Sequence, residues 1–204
     1  MIPTSKNTLE EFNIDDVRSG KHAITGIWSV LITPSAAAAV DFAERYLDIF
    51  DEVVQGDWHL AVGVHPATDG RGRWTANFEF QKSIDELRER LGAGGERIPD
   101  LGIVFFDPHG NAIEDGCVIV PLDSRVIGNA NLYRAGFEAT HLAIRRSFEA
   151  CDLSPYERVQ PGSTNALLRS LDRELKKVKV TGYFRSFGFA FANALLGAAV
   201  GMPF

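Results

Sequence analysis

Two histidines stand six positions apart in DWHLAVGVH, residues 57–65, with acids nearby at Asp69 and Glu79. Histidine beside a carboxylate is the material of acid–base chemistry, and grouped histidines are the material of metal sites. The segment alternates: Trp58, Leu60, Val62 and Val64 share one side, His59, Ala61, Gly63 and His65 the other. In a regular strand the two rings are then about 20 Å apart, while metal–ligand bonds are about 2 Å long. One ion cannot be held by both, and no metal is expected. His65 with Asp69, or His59 with Glu79, would form a local acid–base pair, although a hydrogen-bonded structural histidine is the simpler assignment.

A second alternating run, WTANFEFQ at 74–81, follows the turn-forming PATDGRGR. Together the runs predict an antiparallel hairpin with His65 opposite Thr75, Gly63 opposite Asn77, Ala61 opposite Glu79 and His59 opposite Gln81. Its polar face is the candidate ligand or partner surface: His59, Ala61, Gly63, His65, Asp69, Thr75, Asn77 and Glu79. Small Ala61 and Gly63 leave room for a close approach by another backbone, helix or ligand. Arg71 and Arg73 in the connection are candidate anion contacts.

The remaining chemistry-bearing residues form no recognised constellation. DPHGN, 107–111, offers Asp107 and His109, but those residue types also make turns. GAGGER and DGRGR match neither a phosphate loop nor a dinucleotide fingerprint. Ser35 lacks a nucleophile-elbow context, and Cys117 and Cys151 have no partner motif. His141 and Arg145 share a helical face, an anion contact or a salt-bridged surface. No catalytic residue and no cofactor are assigned.

Charge is distributed unevenly. The net charge is −6 over 204 residues, yet 169–185 holds six bases against Asp172 and Glu174, leaving −10 elsewhere. A general nucleic-acid partner is not expected from that balance. The basic segment could dock on the acidic body, on another subunit or on an anionic surface. Directly after it, FGFAFANALLGAAVGMPF, 187–204, carries no charged side chain. Eighteen helical residues would reach about 27 Å, near a bilayer's hydrocarbon thickness. Asn193, many small residues and no distal polar anchor make it a marginal span. A docking tail is the better assignment, with Phe187, Phe189, Phe191, Leu195, Leu196, Val200 and Phe204 as its contacts. Two cysteines and no secretory signal pattern point to a cytoplasmic protein.

The elements that must position these residues are legible in outline. ITGIWSVLIT, 24–33, is β-rich, and Thr33-Pro34 reads as a helix start before SAAAAVDFAERYLDIFDEVV, with Val40, Ala43, Leu47, Phe50 and Val54 on one face. SIDELRERL has a capping-box spacing at Ser83 and Glu86. LGIVFFDPHGNAIEDGCVIVPL reads as two strands around a turn. Helices follow from near Arg125 to Cys151, and over NALLRSLDRELKKV with Leu168, Leu171, Leu175 and Val178 buried. The division is an arm at 1–23, an α+β sheet core at 24–122 and a C-terminal helical layer at 125–204, integrated as one domain.

The order over 27–107, β-α-β-β-α-β, predicts a ferredoxin-like split arrangement with two helices on one sheet face and the other face open. A second reading starts from IPDLGIVFFDPHGNAI, which resembles the proline, strand, turn and strand run of thioredoxin-fold proteins. That resemblance implies an α/β fold, but TPSAAAA stands where the family's redox cysteines would begin the first helix, so it implies no thiol–disulfide chemistry. The function expected is a non-enzymatic interaction or accessory protein, acting in a homo-oligomer or larger complex through the open sheet face and the apolar tail. The alternatives are a membrane-active effector whose tail enters lipid, and a small-molecule-binding protein or enzyme using the hairpin face.

Overall fold

The structure, a computed structural model, describes residues 2–3, 26–54, 56–68, 73–93, 98–107, 116–122, 129–154 and 163–180. In chain order these form β1 (Ile2–Pro3), β2 (Ile27–Ile32), α1 (Ala36–Val54), β3 (Trp58–Val62), β4 (Val64–Pro66), β5 (Trp74–Ala76), α2 (Phe78–Ala93), β6 (Gly102–Phe106), β7 (Cys117–Pro121), α3 (Ala130–Cys151) and α4 (Ser163–Val180).

Five strands make one mixed sheet in the order β1-β3-β2-β6-β7. β2 and β3 are parallel, with Ile27 opposite Trp58 and Val30 opposite Ala61. β6 runs antiparallel to β2, pairing Val104 with Val30, and β7 antiparallel to β6, pairing Ile119 with Val104. The two-residue β1 lies parallel on the far side of β3. β4 and β5 form a separate two-stranded ribbon. IWSVLI and GIVFF are rich in β-branched and aromatic residues, and every residue of both is buried, as expected where both faces of a strand are covered.

Helices cover the two faces unequally. On one side α1, α3 and α4 bury Phe50, Phe137 and Leu171 against Ile27, Leu60 and Phe105. Trp58 lies at the aromatic centre of this layer, 4.8 Å from Phe50 and 5.3 Å from Phe105, ring to ring. Tyr46 and Tyr133 stack at 4.1 Å where α1 meets α3. On the other side α2 presents Phe80, Ile84, Leu87 and Leu91 to Trp28, Val30, Ala61 and Val104. Residues before 122 and after 129 thus share one apolar core.

The mixed α and β architecture agrees with expectation, but the split connectivity does not. A split unit needs a strand between its two parallel partners, and here β2 bonds β3 directly. Nor do the two helices share a face, because α1 and α2 lie on opposite sides of the sheet. β3 is not half-buried: His59 and Ala61 face α2's layer instead of solvent, with Ala61 fully buried.

The cause lies in FEFQ. The alternation of Trp74, Ala76, Phe78 and Phe80 is broken after Ala76, where Asn77 accepts a hydrogen bond from the Phe80 amide at 3.0 Å and caps a helix. Phe80, Ile84, Leu87 and Leu91 then recur at helical spacing and are buried, while Phe78 is 75% exposed. Ser83 lies inside α2 and caps nothing. α1 likewise begins two residues after Pro34, with Ser35 Oγ accepting from the Ala38 amide at 3.2 Å.

Candidate functional site

The hairpin residues that promised chemistry are divided by this fold. His65 does lie opposite Thr75, and the Asn77 amide donates to the Gly63 carbonyl at 3.0 Å. Glu79 and Gln81, however, belong to α2 and pair with neither Ala61 nor His59. Asn77 is buried as a helix cap, and Glu79 is exposed in the first turn. The close approach made possible at Gly63 is taken by the chain itself, since a Cβ there would come within 2.8 Å of the Phe80 ring. Asp69 and Arg71 lie outside the described residues.

His59 is a half-buried residue of β3. Its ring lies 5.1 Å from that of Trp28, and its Nε2 is buried without a hydrogen-bond partner among the described residues. Burial holds its pKa down at about 4, so it is a neutral imidazole at neutral pH. Ser29, beneath it, donates to the His59 carbonyl at 3.1 Å and accepts from the Trp58 indole at 2.7 Å. These contacts fix the parallel pair of strands. Among the described residues no group of three metal-ligating side chains is brought together.

Arg73 is not a waiting anion contact. Its guanidinium makes two bonds to the Asp48 carboxylate, at 2.7 and 3.1 Å, and this bond holds the Asp48 carboxyl below its ordinary pKa. Glu44 accepts from the backbone amides of Arg73 and Trp74, at 2.7 and 3.1 Å. Both acids come from α1, so the ribbon is tied to that helix by its own cation.

Three polar arrangements have no counterpart in the sequence pattern. Gln81 bridges α2 to the β2–α1 corner: Thr33 Oγ1 donates to its Oε1 at 2.9 Å, and its Nε2 donates to the Thr33 carbonyl at 3.2 Å. Arg88 reaches the same carbonyl at 3.4 Å and pairs with Asp100 at 3.2 Å. His141, from α3, lies 3.2 Å from Asp57 at the start of β3, so it serves the packing of α3 and is not an anion site. Partners so distant in sequence leave no local pattern to find them by.

A different surface holds cations that are not consumed. α4 buries Leu167, Leu168, Leu171 and Leu175 and turns Arg169, Arg173, Lys176 and Lys177 to solvent. Lys176 pairs with Asp172, and Lys177 with Glu174. Arg169 and Arg173 are exposed and make no ion pair among the described residues. Arg145 and Arg146 are exposed on α3, against which α4 packs. The signal for this face was present in the sequence, because the predicted leucine stripe leaves the bases on the opposite side.

The tail residues Phe187, Phe189, Phe191, Leu195, Leu196, Val200 and Phe204 lie outside the described residues, as does the 108–111 turn. Among the described residues no helix is long and apolar enough to cross a membrane. Cys117 and Cys151 form no disulfide among the described residues. No protein-family model matches the chain, and neither curated proteins nor solved structures yield a match.

Proposed function

We propose that the chain is a non-enzymatic interaction or accessory protein on a thioredoxin-like core, making its contact through α4 and the uncharged segment 187–204. Support for the fold comes from the strand order: a directly hydrogen-bonded parallel pair, two antiparallel strands added on one side, and a helix opening after the first strand of the pair. At that helix opening the chain carries Thr33-Pro34-Ser35-Ala36, which supplies no thiol.

The observation that carries the contact is the outward basic stripe of α4, leading in sequence into eighteen uncharged residues. Both faces of the main sheet are covered by the chain's own helices, so the contact moves away from the sheet. The test is mass in solution over a wide concentration range, for the full chain and for a chain ending at residue 186. Tail-dependent assembly, or a co-purifying partner lost with the tail, is the expected result. Two monodisperse monomers without a partner would remove the proposal.

A further inference from the structure

We infer that α4 docks on the exposed face of α2 in a second copy of this chain, an inference that rests on α4 being a contact site. Behind it stands a match of charge sign and spacing between two helices that cannot meet within one molecule.

The exposed side of α2 carries Glu79, Lys82 and Glu86 at positions i, i+3 and i+7, so they form one stripe along the helix. Phe80, Ile84, Leu87 and Leu91 hold the opposite side of α2 in the core. The stripe reads minus, plus, minus. On α4 the same spacing holds Arg169, Asp172 and Lys176, which read plus, minus, plus. Leu168, Leu171 and Leu175 fix that helix from beneath. At 1.5 Å per residue each stripe is about 10 Å long, so three pairs of opposite charge meet when the two are laid side by side. With the helices running in opposite directions the outer pairs still meet, and the middle pair is one residue out of step. Glu89 on α2 and Arg173 on α4 are exposed beside these stripes, and each adds to the sign that dominates its own helix face.

These charges are available for a partner. Glu86, Glu89, Arg169 and Arg173 are exposed and make no ion pair among the described residues. Lys176 does pair with Asp172, but their side chains are 49% and 40% exposed, so exchanging that bond for one to another copy costs little.

The two faces lie on opposite sides of the sheet. α4 packs in the layer that holds Ile27, Leu60 and Phe105, and α2 in the layer that holds Trp28, Val30 and Val104. One chain therefore cannot bring its own stripes together. A copy that sets α4 on its neighbour still presents its own α2 to the next, so the contact runs head to tail and does not close at two. Exposed ion pairs are weak singly, and their alternation here sets register and orientation in a contact that salt weakens.

The experiment is sedimentation of the full chain over a wide concentration range, at low and at high salt. The average mass is expected to climb past that of a dimer at low salt and to fall back at high salt. Arg169→Glu/Arg173→Glu and Glu86→Lys/Glu89→Lys are each expected to lower the association constant about tenfold, with thermal melting unchanged. When the two variants are mixed, each reversed face meets a face of opposite sign, and growth past the dimer should return. Association that the α4 reversal removes and the α2 reversal leaves untouched would overturn the inference, as would a mixture that stays dissociated. A chain that is monomeric at every concentration but retains a partner through α4 would overturn it too, and would leave the interaction proposal standing. Monomers with no partner would reject both.

Discussion

Two groups of cations, one on the β4–β5 ribbon and one on α4, have opposite fates. Arg73 is an exposed arginine, yet its charge is matched by two bonds to the paired oxygens of Asp48, and its backbone amide is bound by Glu44. Arg169 and Arg173 are also exposed and find no such acid among the described residues. The difference teaches that exposure alone does not make a charge available. What matters is whether the neighbouring element brings an acid into reach, and α1 does so for the ribbon whereas nothing described does so for α4. A partner should therefore be sought at the second site.

The comparison fails first if α4 is not a fixed part of the core. Leu171 is fully buried against the sheet layer, and Leu171→Ala should cost about 2–5 kcal/mol of stability, seen as a lower urea midpoint. A near-neutral effect would mean that the stripe has no rigid support.

His59 sharpens the contrast from the interior. It is neutral in the folded protein at neutral pH, with a pKa of about 4, while the unfolded chain takes up a proton near the ordinary histidine value of 6.5. The unfolded state thus binds more protons between those values, so stability falls as the pH drops through that window and levels off below it. Relative to His59→Phe, the natural chain should lose about 3 kcal/mol between pH 7 and pH 4. Parallel pH profiles for the two proteins would show that His59 is solvated.

A smaller effect is expected at the ribbon. Glu44→Ala leaves the amides of Arg73 and Trp74 without their acceptor and should cost about 1–2 kcal/mol, because hydrogen bonds to charged groups lie in that range and water replaces part of the loss. Amide exchange at those two positions should quicken with it.

Much of this was readable from residue types. The runs IWSVLI, GIVFF and CVIVP are strands, the turn-rich PATDGRGR does lead into a ribbon with His65 opposite Thr75, and the leucines of α4 are buried as their spacing predicts. The misreading centres on four residues. Phe78–Gln81 alternate like a strand, but the Asn77 cap and the distant partners Ile84, Leu87 and Leu91 decide for helix. Moving those residues from strand to helix places α2 over Ala61 and Trp28, and so covers the face that the candidate site required. His59 and Ala61 misled because a small and a polar residue resemble a solvent-facing row, whereas here His59 lies beside the Trp28 ring and Ala61 packs in the same cluster as Phe80. The α4 face was legible in part: charge counting located the excess, but only packing shows which cations are left unmatched.

The most direct test sets the two regions against each other in one experiment. Arg73→Glu and the double reversal Arg169→Glu/Arg173→Glu are each measured for melting temperature and for the tail-dependent assembly or retained partner, by mass in solution. The account predicts that Arg73→Glu lowers the melting temperature and keeps the assembly or partner, while the double reversal keeps the melting temperature and abolishes it. Assembly or partner lost through Arg73→Glu and retained in the double reversal would contradict it.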